Sequence, residues 1–280
     1  MDKKFDIIIY GATGFTGSLG AKYMDKYSNE FKWAIAGRDS NKLEKLQNEI
    51  PGKPEIVIAD ANDEQALLKL TASTKVVASY AGPFNKYSNL LVKACVETGT
   101  HYVDITGEAI WVRDLIDNYH QRCIDNKIKI IPACGYDSIP SDLGTYFTAK
   151  QVNEPLKSIF AYHNMSGGVS GGTIESAFTM RDFKSKHKMG HPFLLNPEGS
   201  YSKNQKLLSK DYFSIKKNKK LNKWVIPFVM AITNTRPVRR SAALMEAKQQ
   251  SYGPDFVYNE FQMVNKYSVA LITTVSLAVL

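Results

Sequence analysis

Cysteine is scarce in this sequence: Cys95, Cys123 and Cys134 are the only three in 280 residues. Their odd number and wide spacing exclude the disulfide framework of a small secreted protein, and no two stand at the short spacing of a zinc or redox motif. They read as buried structural thiols in a reducing cytoplasm. Metal-binding patterns are lacking too. His187 and His191 stand four residues apart, but HKMGH contains a glycine and lacks the catalytic glutamate of a zinc-protease helix. His101, His120 and His163 have no ligand-like partners in the sequence, so no metal site is expected. Long apolar runs are also missing. The stretch Val269–Leu280 (VALITTVSLAVL) has twelve residues, against ~20 for a bilayer crossing. It suits a buried helix, an interfacial segment or a spanning segment cut short. The opening MDKKFD runs directly into a strand pattern and does not resemble a signal peptide. The expected compartment is the cytoplasm, with peripheral membrane attachment as a second option.

Acidic residues are withheld from one half of the chain. The whole sequence carries 36 Lys and Arg against 27 Asp and Glu, a net charge of +9. Residues 1–150 hold 18 basic and 19 acidic side chains, whereas 151–280 hold 18 and 8. Within 181–240 the counts are 15 and 3. So local a positive field fits an anionic partner: membrane phosphates, a phosphopantetheine or coenzyme A carrier, or nucleic acid. A solvated lysine face is the alternative. Nucleic acid is not expected, because the lysines lack regular aromatic interleaving or a recognisable binding module.

The first 135 residues alternate short apolar runs with amphipathic stretches. Strands are expected at Phe5–Tyr10, Phe31–Ala36, Glu55–Ala59, Val76–Tyr80, His101–Asp104 and Lys129–Pro132. Helices are expected between them, for example Ser40–Ile50, where Leu43, Leu46 and Ile50 share a face and Ser40 is the candidate cap. Strands separated by helices imply a parallel, doubly wound α/β sheet of the Rossmann type. After Cys134 the pattern changes, with a Gly- and Ser-rich stretch at 166–173, a strand at Ser158–His163, a helix at 172–181 and a lysine-rich stretch at 203–223. The reading is a dinucleotide-binding domain over 1–135 followed by a second, α+β substrate domain over 136–280.

The motif GATGFTG directly follows the first strand and opens the first helix. Gly11 permits a tight turn, Gly14 leaves no side chain between backbone and a pyrophosphate, and Gly17 lets helix and sheet approach. The helix N-terminus then offers free N–H groups and a positive dipole end to phosphate. Thr13, Phe15 and Thr16 line the same turn. The second strand ends Ala36-Gly37-Arg38, where an NAD-binding protein usually has an acidic residue for the ribose diol. A guanidinium there suits a 2′-phosphate, with Lys42 one turn further on, and so favours NADP(H). Asp39 leaves the other choice open, since it could face a ribose. Asp60 after the third strand could accept from the adenine amino group. Ala81, Gly82 and Pro83 after the fourth could let the nicotinamide ribose approach.

GATGFTG, AGRD at 36–39, AGPF at 81–84, YVDITGE at 102–108, GYDSIPSDLG at 135–144 and SGGT at 170–173 occur in this order. Together they resemble the saccharopine dehydrogenase-like oxidoreductases, and within them the branch that includes the trans-acting enoyl reductases of lipid biosynthesis. The resemblance spans about residues 5–262. It implies an NADP-type Rossmann domain, a substrate domain on a mixed sheet, and reduction chemistry on a lipid-like or carrier-bound acyl substrate. Members of this branch continue beyond the apolar stretch, so the second domain is expected to be C-terminally incomplete relative to the family. In the family motifs, Tyr136 is the candidate proton donor to an enolate or alkoxide, and Asp104, Glu108 or Asp142 would orient it or a water. A homodimer is a further expectation. The rival reading is a non-catalytic NADP-binding sensor or scaffold protein.

Overall fold

The computed structural model describes residues 3–152, 154–164, 185, 187 and 190–279. The glycine-rich stretch at 166–173, with its SGGT motif, and the helix expected at 172–181 lie outside the described residues. The chain divides into two compact units, with the change-over between Gly135 and Tyr136.

The first unit runs β1 (Phe5–Tyr10), α1 (Phe15–Met24), β2 (Trp33–Gly37), α2 (Ser40–Glu49), β3 (Glu55–Ile58), α3 (Glu64–Ala72), β4 (Thr74–Ser79), a single turn α4 (Phe84–Tyr87), α5 (Asn89–Thr98), β5 (His101–Asp104), α6 (Ala109–Asp125) and β6 (Ile130–Ile131). The six strands form one sheet in the order β3-β2-β1-β4-β5-β6, all parallel. Ile8 and Ile9 on β1 are buried, as are all five residues of β2, which is why these strands read as unbroken apolar runs. Ile9, Trp33, Ile35, Leu43, Leu46 and Ile50 form a core between sheet and α2. The cap of α2 differs from the expectation. Asp39 is the N-cap, accepting from the Lys42 N–H at 3.1 Å, and Ser40 is the first helical residue. A carboxylate one residue earlier both accepts that bond and complements the helix dipole. Asp63 caps α3 in the same way, and Gly99 ends α5 in the left-handed conformation, φ +64°.

The second unit contains α7 (Ile139–Gln151), β7 (Ser158–His163), α8 (Lys203–Leu208), β8 (Lys216–Asn218), β9 (Lys223–Pro227), α9 (Ala231–Ala247), β10 (Val257–Val264) and α10 (Tyr267–Val279). Its sheet has the order β7-β10-β9-β8, with β7 and β10 parallel and the other pairs antiparallel. Val238 of α9 packs with Tyr252, Phe256 and Tyr258 in the core, flanked by Ala149 of α7 and Ile159 and Ala161 of β7. Part of the local basic excess is spent here internally. Arg236 makes a bidentate pair with Asp211 at 2.6 and 2.7 Å. Arg239 donates to the carbonyls of Pro192 and Tyr258, both at 2.8 Å, and Arg240 donates to Leu195 O. These arginines fasten the segment 191–212, which carries α8, to α9 and β10. Residues 269–279 of the apolar C-terminal run lie in α10, which sits against β9 and β10 with Ala270 buried and Tyr267 against Trp224, ring centroids 4.8 Å apart. No helix among the described residues is long and apolar enough to cross a membrane.

Candidate functional site

The turn after β1 is pinned to the end of β2, since Gly11 N and Ala12 N both donate to Ala36 O. Gly11 has φ +75°, and a Cβ there would meet the Ala81 backbone nitrogen at 2.8 Å. A Cβ on Gly17 would come within 2.3 Å of Gly11 O, so helix α1 approaches the turn as closely as it does only with glycine at that position. Gly14 differs from both. It is the N-cap of α1 in extended conformation, and no side chain caps the helix. The space a Cβ would occupy at Gly14 is open apart from Gly11 O at 3.4 Å. Thr13, Gly14, Phe15 and Thr16 are all exposed. An uncapped helix N-terminus behind an exposed turn with no side chain at Gly14 presents free N–H groups and the positive end of the helix dipole to solvent.

At the end of β2, Arg38 is exposed and makes no ion pair among the described residues, while Asp39 is engaged with the backbone of Lys42 and, at 3.8 Å, with its ammonium group. The carboxylate that left cofactor choice open in the sequence therefore caps a helix. The Asp60 carboxylate accepts from Asn62 N at 2.8 Å, shaping the loop after β3. Arg38 and Asp60 both lie close enough to Tyr10 to act on its hydroxyl: burial pushes it up first, Asp60 adds to that, and Arg38 opposes.

Two acids shape the loops after β4, β5 and β6. Glu108 is buried and its carboxylate accepts from Phe84 N at 2.9 Å and Asn85 N at 2.7 Å. It thereby holds the start of α4, just beyond Ala81, Gly82 and Pro83. Asp104 is also buried. Its Oδ1 accepts from Thr106 N at 2.9 Å and Ala133 N at 3.0 Å, and its Oδ2 accepts from the Tyr102 hydroxyl at 2.8 Å. Thr106 Oγ1 in turn accepts from Glu108 N at 3.0 Å. Ala133 adopts φ +60°, a costly conformation for a residue with a Cβ, held by the bonds from Ala133 N and Cys134 N to Asp104. YVDITGE is thus a relay of side-chain-to-backbone bonds that fixes three loops of the first unit together. In the second unit, the Tyr136 side chain is 90% exposed. Asp142, in the first turn of α7, is half-buried and accepts from Ser241 Oγ of α9 at 2.9 Å; desolvation pushes its carboxyl up and that bond opposes.

Burial pushes the Asp104 carboxyl up to about 7, against the hydrogen bonds it accepts. A carboxyl raised in the folded state binds its proton more tightly there than in the unfolded chain, so its contribution falls as pH rises towards 7 and is constant above. Asp104→Asn keeps the size and removes the charge. From pH 5.5 to 8, the variant should gain about 2 kcal/mol of stability relative to the unmodified protein, the product of roughly 1.5 pKa units and 1.36 kcal/mol each. Thermal melts across that interval check this; a constant difference between the two proteins would contradict it.

Residues 7–131 match the family model of the saccharopine dehydrogenase NADP-binding domain. A Mycobacterium tuberculosis protein whose name assigns it provisionally as a trans-acting enoyl reductase is 32% identical over 291 residues, covering 98% of this chain and 68% of that protein. The trans-acting enoyl reductase of Mycobacterium bovis BCG is 33% identical, with coverages of 96% and 68%. The chain belongs to the saccharopine dehydrogenase-like oxidoreductases, in the trans-acting enoyl reductase branch. Apo saccharopine dehydrogenase (L-Glu forming) from Saccharomyces cerevisiae shares its fold, with a TM-score of 0.53 at 15% identity, covering 93% of this chain and 56% of the yeast protein. The cofactor of this family's domain is NADP(H), and the uncapped turn and exposed Arg38 are chemically suited to it. Sequence reasoning missed two parts of the site. Ala133 carries no residue-type signal for a positive φ. Gly20, whose added Cβ would lie 2.8 Å from the Tyr80 ring, reads in sequence as an ordinary helical glycine.

Proposed function

We propose that this protein reduces the carbon–carbon double bond of a 2-enoyl thioester, presented on a carrier or as a lipid-like acyl chain, at the expense of NADPH. The observation that carries the reading is the 32–33% identity to proteins named as trans-acting enoyl reductases across nearly the whole chain. Bound NADPH would supply a hydride to the β-carbon; the protein must deliver a proton to the α-carbon. The cofactor would be held by Gly11, Thr13, Gly14, Phe15, Thr16 and Gly17 at its pyrophosphate and by Arg38 and Lys42 at its 2′-phosphate. Asp60 would meet the adenosine, and Ala81, Gly82 and Pro83 the nicotinamide ribose. Asp104 and Glu108 act as positioning residues, because their oxygens already accept backbone N–H groups. Asp142 has the same character through Ser241. Tyr136 is the proton donor: its side chain is exposed and ends in a hydroxyl that can donate.

The test is NADPH oxidation by the full chain with crotonyl-pantetheine. Tyr136→Phe should lower kcat by ~100-fold or more, the usual weight of a general acid, with NADPH affinity unchanged. An unaffected kcat would remove Tyr136 from the chemistry. NADPH binding with no turnover on any 2-enoyl thioester would favour the non-catalytic sensor or scaffold instead.

A further inference from the structure

The chain from Tyr212 to Met245 contains no aspartate or glutamate, and Asp211 just before it is consumed by Arg236. Within that stretch the β8–β9 hairpin gathers Lys216, Lys217, Lys219 and Lys220, all exposed and none in an ion pair among the described residues. The ammonium groups are presented in an ordered way. Lys216 lies over the Tyr212 ring at 5.4 Å and Lys217 over Trp224 at 5.3 Å, on opposite faces of β8. The turn is fixed by Leu221 N donating to Asn218 Oδ1 at 3.1 Å, and Asn218 Nδ2 reaches the Tyr162 hydroxyl at 3.4 Å.

β8 is an edge strand, and lysines commonly guard such edges against pairing with another chain. That accounts for Lys216 and Lys217. It does not account for Lys219 and Lys220, which lie beyond the paired residues 216–218, in the turn. A membrane surface would need apolar groups free to enter it beside the charges. The tip offers Leu221 alone, Trp224 is held against Tyr267, and the exposed Leu271, Ile272 and Val275 belong to α10 and not to the hairpin. Exposed ammonium groups that pair with no carboxylate among the described residues complement a protein surface of opposite sign.

We propose that the β8–β9 hairpin is the docking surface for an acidic protein domain that carries the acyl substrate on a phosphopantetheine arm. This rests on the enoyl-thioester reading above and adds to it the surface that receives the carrier. The lysines pair with the carrier's carboxylates and the phosphate at the root of its arm, and contribute to encounter rate as well as affinity.

The test compares the full chain with a variant carrying Lys216→Glu, Lys217→Glu, Lys219→Glu and Lys220→Glu, and with the matching four-glutamine variant. A control places the same charge change on the first unit, at the exposed Lys26, Lys45, Lys69 and Lys129. The probe is an acidic acyl carrier protein loaded with crotonate, titrated at about 0.05 and 0.5 M salt, since exposed charges are screened over ~10 Å at 0.1 M. The glutamate variant should bind at least ~10-fold more weakly at low salt, the glutamine variant in between, and the control within about twofold of the unmodified protein, with the differences shrinking at high salt. No carrier binding by the unmodified chain, or equal losses in hairpin and control variants, overturns the proposal. So does binding to anionic phosphatidylglycerol vesicles in place of the carrier. Reduction of crotonyl-pantetheine, followed in parallel, should be unchanged in the hairpin variants. Its absence from the unmodified protein would count against enoyl reduction, while the carrier titration still decides docking.

Discussion

Gly14→Val should cost at least ~100-fold in NADPH affinity, roughly 3 kcal/mol at 1.4 kcal/mol per tenfold, while leaving the melting temperature within a few degrees. The site distinguishes its glycines by what a side chain would meet. At Gly14 the backbone is extended (φ −71°, ψ 163°), a conformation valine adopts readily, and an added Cβ sits at ordinary contact distance, 3.4 Å from Gly11 O. The first unit should therefore fold with valine in place. The branched side chain would instead stand over the uncapped N-terminus of α1, where a pyrophosphate must come within hydrogen-bonding distance of the backbone. Gly17→Val is the contrast, because its Cβ would lie 2.3 Å from Gly11 O and push α1 away from the turn. That variant should lose cofactor binding and stability together. Calorimetric titration with NADPH and thermal melts on both variants separate the two effects. Normal binding by Gly14→Val would show that this turn is not the phosphate cradle.

Arg38→Asp should lower NADPH affinity by about 10- to 150-fold and leave NADH affinity within a few-fold of its starting value. A charged bidentate hydrogen-bond pair lost from a cofactor phosphate is worth roughly 1.5–3 kcal/mol. Arg38 is exposed and not ion-paired among the described residues, so removing it leaves no carboxylate stranded and its loss reports on the ligand alone. The new aspartate also repels the 2′-phosphate and can accept from a ribose diol, so the preference narrows from both sides. Parallel titrations with the two reduced cofactors check this. An equal loss for both would mean that Arg38 contacts something common to them.

The parallel sheet was legible because β1 and β2 are buried on both faces and therefore spell unbroken apolar runs, while α2 and α3 carry their leucines at helical spacing. The glycine turn after β1 was legible because close backbone approach can be met only by glycine, as at Gly11 and Gly17. The roles of the acids were less accessible. Asp39, Asp104 and Glu108 each looked available for ligand or chemistry in one dimension, yet each accepts bonds from backbone N–H groups. For Asp104 and Glu108 some of those donors lie over twenty residues away, at Ala133, Phe84 and Asn85, and no local pattern announces them. The second unit was the least readable. Its mixed sheet pairs β10 with β7 across almost a hundred residues, and its buried arginines look in sequence like surface charge.

The central claim is that the first unit holds NADP(H) through the open turn at Gly14 and the exposed guanidinium of Arg38. Titrating the unmodified protein with NADPH and NADH under identical conditions tests it most directly. NADPH should bind at least ~10-fold more tightly, the lower end of what a charged hydrogen-bonded contact supplies. Equal affinities, or a preference for NADH, would contradict it.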